Sequence, residues 1–330
     1  MSIRGVSIIM CTYNGIERLS STLDSILQLN QGIPRELILV DNASTEDIQG
    51  FCQTYFSDSV SAIDFKLVNE EKAGLTHARI AGIRVASYEY LLFCDDDNAL
   101  FSDYLELGVK VFDEIPEVGV IGGRGIARLD IDQPEWFLKY QHSYAVGAQR
   151  SQTGLIEDRP GHVYGAGSFF RIEPMLAILE AGFYPSLTGR TATSLLSGDD
   201  LEWCWLLQLQ GYKIYYNDSL RFFHDLSATR LHKSYYIKLK AGTSAGGALL
   251  YAYRTFFEKR NLTETEFKAR YSREYFKNRL RYLKNRIFKN ADIWEQELAM
   301  AILKSRKQSF HRYTDESARL YQNLKKLFAV

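Results

Sequence analysis

The sequence predicts an α/β protein with a mostly parallel, Rossmann-like central sheet flanked by helices, followed by a C-terminal helical extension. Short apolar runs rich in β-branched residues alternate with segments of helical period through the first third. Beyond Ser227 the helical pattern continues alone, with Tyr, Phe, Arg and Lys interleaved up to Val330. Charge divides the chain at the same place, with 17 Lys+Arg against 31 Asp+Glu up to Leu226 and 23 against 9 from Ser227 onward.

Taken in order, "VSIIM" reads as a buried parallel strand, broken by "TYNG". Leu19, Leu23, Ile26 and Leu27 then recur at helical spacing. "ELILV" is a second strand ending at Asp41, and "FKLV" a third ending at Asn69. "LTHARIAGIRVAS" is a helix with Ala78, Ala81 and Val85 on one face, and "YLLFC" a fourth strand running into Asp95, Asp96 and Asp97. "GVIGG" continues as a strand, and Leu129 to Gly154 is a long polar and aromatic excursion. "HVYGAGSFFR" reads as strand, and "EPMLAILEAG" as a helix with Pro174 near its start and Gly182 at its end. "GDDLEWCWLLQLQG" is a helix closed by Gly211; "YKIYY" and "LRFF" are two strands leading to His224.

Composition is that of an ordinary globular protein, 46% hydrophobic and 24% charged. No signal peptide is expected, since the apolar run after Arg4 is only Val6–Met10. Ala241–Tyr253, with Gly242 and Gly246 four apart, is too short to span a bilayer and reads as one packed helix. Cys11, Cys52, Cys94 and Cys204 lack metal-type spacing, so reduced core thiols in a cytoplasmic protein are expected.

Three adjacent carboxylates at the mouth of an apolar strand repel one another and require a positive partner or water. Thr12–Asn14, Asp41, Asn69 and Asp95–Asp97 all follow the carboxyl ends of strands, the edge where open α/β sheets bind ligands.

Roughly residues 5–235 resemble the family 2 glycosyltransferases, on the GT-A fold of the nucleotide-diphospho-sugar transferases. The resemblance rests on "SIIMCTYNGIERLSSTLDSIL", "ELILVDNAST", "EKAGLTHARIAGIRVA", "LLFCDDDN", "GAGSFFR" and "LLSGDDLEWCWLLQLQGYKIYY", in the family's order. It implies a catalytic domain over 1–230, with a nucleotide-sugar-binding half (1–118) and an acceptor-binding half (119–230), and a basic helical region over 231–330. The implied reaction is inverting transfer from a nucleotide-diphospho-sugar to a hydroxyl of a glycan or lipid-linked glycan, in bacterial surface polysaccharide synthesis.

A divalent cation, Mn or Mg, would stabilise the departing diphosphate. The resemblance assigns the metal to Asp97, while Asp95 or Asp96 faces the ribose or ligand waters, and Asp41 bonds the base. Thr12 and Tyr13 line the nucleotide pocket; Arg79 contacts the nucleotide or balances the acid cluster. His224 stands where related enzymes place a histidine near diphosphate and metal, a further metal ligand or a hydrogen-bonded core residue; Arg230 pairs with the diphosphate. In Gly198-Asp199-Asp200, where the family usually has Gly-Glu-Asp, Asp200 is the acceptor-side base and Asp199 takes the Glu position. Trp136 and Trp203 are acceptor-side candidates.

Two competing functions make different demands. A sugar-phosphate nucleotidyltransferase asks for a Gly-rich, Arg-bearing loop after the first strand, which "CTYNGIERL" does not supply. A non-catalytic nucleotide-sugar-binding module would keep Asp97 and dispense with Asp200. For the basic rear region two readings stand: peripheral docking on the inner, anionic membrane face, or a basic surface paired with the acidic front half. No base-reading motif points to nucleic acid.

Overall fold

The computed structural model describes residues 3–57, 63–189, 197–286 and 292–328. Leu195 and Leu196 of the "LLSGDD" motif and Ile287–Lys289 of the basic run lie outside the described residues.

The first four strands are β1 (Ile3–Thr12), β2 (Arg35–Asp41), β3 (Asp64–Asn69) and β4 (Tyr88–Asp95). They are mutually parallel in the order β3-β2-β1-β4. Their interior residues, such as Ile8, Ile9, Leu37–Val40 and Leu91–Phe93, are buried on both faces, as continuous apolar runs require. The helices α1 (Ile16–Leu27), α2 (Ile48–Ser57) and α3 (Leu75–Val85) make the crossovers. Because β1 lies between β2 and β4, the chain leaves it in opposite directions, and a crevice opens at the carboxyl ends of β1 and β4. There Cys11 pairs in register with Asp95, and Thr12 with Asp41.

The sheet continues through β5 (Asn98–Leu100), β6 (Val118–Leu129), β7 (Gly154–Ile156), β8 (Ser168–Arg171) and β9 (Lys213–Leu226) in the order β4-β8-β6-β9-β5, with β7 also on β9. "YKIYY" and "LRFF" prove to be one strand: β9 runs unbroken along β6, whose register shifts between Gly122 and Arg124 absorb the intervening residues. α4 (Tyr104–Glu114) precedes β6, and α5 (Phe137–Tyr140) interrupts the polar excursion. α6 (Ile172–Glu180) and α7 (Asp199–Leu209) follow. On α3 the expected face is only partly right: Ala78 is buried, but so are Arg79, Ile80 and Ile83, while Val85 is 39% exposed. The helix middle is covered from two sides, and its last turn reaches solvent.

The rear region folds as α8 (Lys233–Ala245), α9 (Gly247–Phe257), α10 (Glu264–Arg286) and α11 (Ile293–Leu327). The single helix expected over Ala241–Tyr253 breaks at Gly246, where a Cβ would meet the Ser197 carbonyl oxygen at 2.8 Å. Carbonyls near the break are taken up by α11: Ser305, Ser309 and Ser317 donate to Ala241, Ala245 and Ala248. Tyr253, Phe267, Tyr321 and Leu324 join Phe170, Trp205 and Ile214 in one apolar core, so the boundary at 230 is no gap in the packing. Arg230, just past the charge boundary, pairs with Asp97 of the acidic front half. Among the described residues, Arg260, Lys268 and Arg270 find their carboxylates within the helical region itself. No described helix is long and apolar enough to cross a membrane.

Gly246→Val forces the Ser197 carbonyl away and is expected to cost about 1–3 kcal/mol, as overpacked cores do. Chemical denaturation measures it; a midpoint equal to wild type would show that the contact yields freely.

Candidate active site

A cavity of about 680 Å³ opens at the sheet's carboxyl edge, walled by the ends of β1 and β4, the turn before α7 and the end of β9. Thr12, Tyr13, Arg79, Asp95, Asp96, Asp97, Asp199, Asp200 and His224 all line it. Residues far apart in sequence therefore converge on one space.

Each member of the acid trio has its own cation. Asp95 faces Arg79 at 3.4 Å. Asp96 accepts from Thr12 Oγ1 at 2.7 Å and from Arg18 at 2.7 Å (Nη2) and 3.2 Å (Nε). Asp97 accepts from Arg230 at 2.5 Å and lies 3.4 Å from His224 Nε2. This last juxtaposition follows from strand pairing. Asn98 opposes His224 across β5 and β9, and the Asp225 N–H donates to the Asp97 carbonyl. Burial alone would raise the Asp97 carboxyl, but His224 and Arg230 outweigh it and hold it far below the usual carboxylate range. Burial raises Asp96 on balance, against the hydrogen bond from Arg18.

Arg79 is 3% exposed and stacks over the Phe93 ring at 4.6 Å. It donates to Asp199 at 2.6 Å, so it balances the acid cluster and ties the α7 turn to the trio. Gly198 has φ of +122°, which a side chain rarely adopts, and this turns Asp199 and Asp200 into the first turn of α7. Asp200 accepts from the N–H groups of Gly165 and Leu201. A Cβ on Gly165 would press at 3.1 Å on both Arg79 and Asp200, so glycine lets the bend before β8 approach the site.

Other expected residues lie elsewhere. Asp41 is not in the cavity wall; its carboxylate accepts from the Ser44 N–H in a local turn. Trp203 is fully buried in the core and is not an acceptor-side residue. The reason is that α7 is covered on all sides, burying Glu202 and Gln208 as well as Trp203 and Trp205. Trp136 packs among Tyr140, Tyr236 and Trp294, away from the cavity. The thiols are unpaired, and burial pushes Cys11 up to about 12.

Arg18, His162, Tyr164 and Lys240 line the cavity without having been singled out from the sequence. Arg18 carried a signal. A cation in the first turn of a helix opposes the helix dipole and needs a carboxylate to hold it.

The cavity's donor set fits a divalent cation. Asp97 and His224 offer a carboxylate oxygen and an imidazole nitrogen. Five carboxylates (Asp95, Asp96, Asp97, Asp199, Asp200) face three guanidiniums (Arg18, Arg79, Arg230) and the Lys240 ammonium, a formal excess of one negative charge. Among the described residues no three Asp, Glu, His or Cys side chains are grouped so as to hold a metal ion.

The model of glycosyl transferase family 2 matches residues 7–176. The chain belongs to this family. It is 25% identical over 226 residues to a glucosyl-dolichyl phosphate glucuronosyltransferase of Haloferax volcanii, covering 67% of this chain and 69% of that one. It is 23% identical to a poly-beta-1,6-N-acetyl-D-glucosamine synthase of Staphylococcus aureus, covering 65% of this chain and about half (48%) of the synthase. Among solved structures, a mannosyltransferase of Pyrobaculum calidifontis in complex with GDP-Man and Mn2+ superposes with a TM-score of 0.54 at 18% identity, covering 99% and 85% of the two chains. Staphylococcus aureus TarS with UDP-GlcNAc gives 0.53 at 14% identity, covering 98% and 91%. The fold is therefore that of the GT-A transferases, and the protein is a glycosyltransferase.

Glu202, fully buried beneath this turn, accepts from Tyr253 and from the N–H groups of Ser186 and Leu187. Burial pushes its carboxyl up to about 7 against those donors, above its ordinary 4.5. The folded chain thus holds the proton more tightly than the unfolded one. The contribution is full below pH 4.5 and is lost as pH rises through about 7, a component of about 3 kcal/mol. Glu202→Gln is expected to flatten the fall of Tm from about pH 5 to about pH 8. Parallel wild-type and variant profiles would refute it.

Proposed function

We propose that the protein is a metal-dependent, inverting glycosyltransferase that moves a sugar from a nucleotide-diphospho-sugar to a hydroxyl of a glycan or lipid-linked glycan. We further place it in bacterial surface polysaccharide synthesis. One observation carries the reading: the acid trio and Asp200 share a single cavity, joined through Arg79 and Asp199. A donor-side charge cluster and an acceptor-side carboxylate on opposite walls are what in-line displacement at an anomeric carbon requires.

Asp200 takes the proton of the attacking hydroxyl, and the N–H groups of Gly165 and Leu201 orient it. Arg18 and Arg230 direct guanidinium charge at the place of the departing diphosphate. Asp97 and His224 would hold Mn or Mg, which when bound supplies further positive charge to that leaving group. Thr12, Tyr13 and Asp95 line the donor side of the cavity. Asp41, at the same sheet edge, remains the proposed partner of the base. The names of the relatives support this reading, since one acts on a dolichyl phosphate-linked sugar and another makes a polysaccharide. The catalytic domain comprises residues 1–230, and residues 231–330 form the helical region that buttresses it. The cytoplasmic face of the membrane, where a lipid-linked acceptor is presented, is its proposed place of work.

A non-catalytic sugar-nucleotide binder would have no use for Asp200. The test is release of nucleoside diphosphate from a panel of donors with Mn. Asp200→Asn is expected to lower kcat by about 10²–10⁴ with little change in KM, the usual worth of a general base. Asp97→Ala is expected to weaken dependence on added Mn as well as turnover. Unchanged turnover in both variants would overturn these roles.

A further inference from the structure

A second cavity, of about 480 Å³, lies among α8, α9, α10 and α11. Arg254, Arg279, Arg281 and Arg306 line it, with Glu274 as its one carboxylate. None of the four guanidiniums takes part in an ion pair among the described residues; the paired cations of this region are Arg260, Lys268 and Arg270. Stacking holds two of them instead: Arg254 lies over Trp205 at 5.7 Å and Arg306 over Tyr282 at 4.9 Å. The four guanidiniums keep solvent-exposed surface, so an anion with several acceptor oxygens can enter among them and accept from several at once.

The position of this cavity relates it to the catalytic one. Thr243 and Ser244 are neighbours on α8, yet the first lines the catalytic cavity and the second lines this one. Lys240 reaches the catalytic cavity, and burial together with the nearby Arg306 lowers its ammonium; the same two causes lower Arg254. The basic cluster therefore sits behind the wall that carries Ser197, Gly198 and Asp200, the acceptor side.

We propose that this cavity binds a phosphate or diphosphate group of the acceptor, with Arg254 and Arg306 anchoring the anion while the acceptor hydroxyl reaches Asp200. Assignment of the anion to the acceptor rests on the transferase reading; the anion site itself does not. The probe is inorganic pyrophosphate, titrated calorimetrically at low salt into the full chain. Arg254→Gln and Arg306→Gln are each expected to raise Kd about tenfold or more, as loss of a charge-assisted hydrogen bond does. Lys268→Gln, which removes an exposed cation outside the cavity, is expected to leave it unchanged. No pyrophosphate binding, or equal binding by wild type and both arginine variants, overturns the site.

Flotation with phosphatidylcholine vesicles carrying either polyprenyl diphosphate or phosphatidylglycerol identifies the source. Preferential capture by the former, lost in Arg306→Gln, assigns a lipid-borne diphosphate. Pyrophosphate binding without vesicle capture assigns a water-soluble phosphorylated acceptor. Equal capture by both vesicles shows a diffuse basic surface and overturns the proposal. Donor turnover without pyrophosphate binding removes this inference alone, whereas binding without turnover removes the transferase reading alone.

Discussion

The site depends on one buried cation. Arg79 comes from α3, lies almost wholly out of solvent, and is shared between Asp95 at the end of β4 and Asp199 at the start of α7. Burying a guanidinium is costly unless carboxylates receive it, and removing either side of such a pair strands the other. Here the mutual need is used as a positional constraint. The two walls of the cavity come from segments roughly a hundred residues apart, and the charge between them sets their spacing.

The same principle answers the problem posed by three adjacent carboxylates. Arginines provide the answer locally: Arg79 for Asp95, Arg18 for Asp96, Arg230 for Asp97. A divalent cation is therefore not needed to make the trio tolerable. Arg230 already occupies one oxygen of Asp97, so ligand binding at this end of the cavity exchanges partners within an existing network.

Legibility in the sequence followed the strength of periodic and positional signals. The parallel strands and their polar ends could be read because burial on both faces leaves long apolar runs that stop abruptly at Thr12, Asp41 and Asp95. β5 and β7, three residues each, carry too few side chains to show a period. α2 had no reading because only Ile48 and Cys52 are buried in it. Trp203 was misplaced because a helix covered on all sides has no polar face to mark the inside. Arg18 and Lys240 were harder still: a long side chain reaches a site several ångströms from its own backbone, and sequence position does not report its direction. The close approach at Gly246 involves a carbonyl that arrives from another segment altogether.

The serines that take up carbonyls of α8 and α9, and the Tyr321 and Leu324 side chains that join the core shared with α7, all belong to α11, about seventy residues or more beyond the end of β9. During synthesis the sheet is complete well before that helix exists. The floor under Gly198 is then unfinished, and apolar surface around Trp205 and Tyr253 stays uncovered. Completion of the wall that carries Gly198 is consequently coupled to the docking of α11, far downstream of the sheet in sequence.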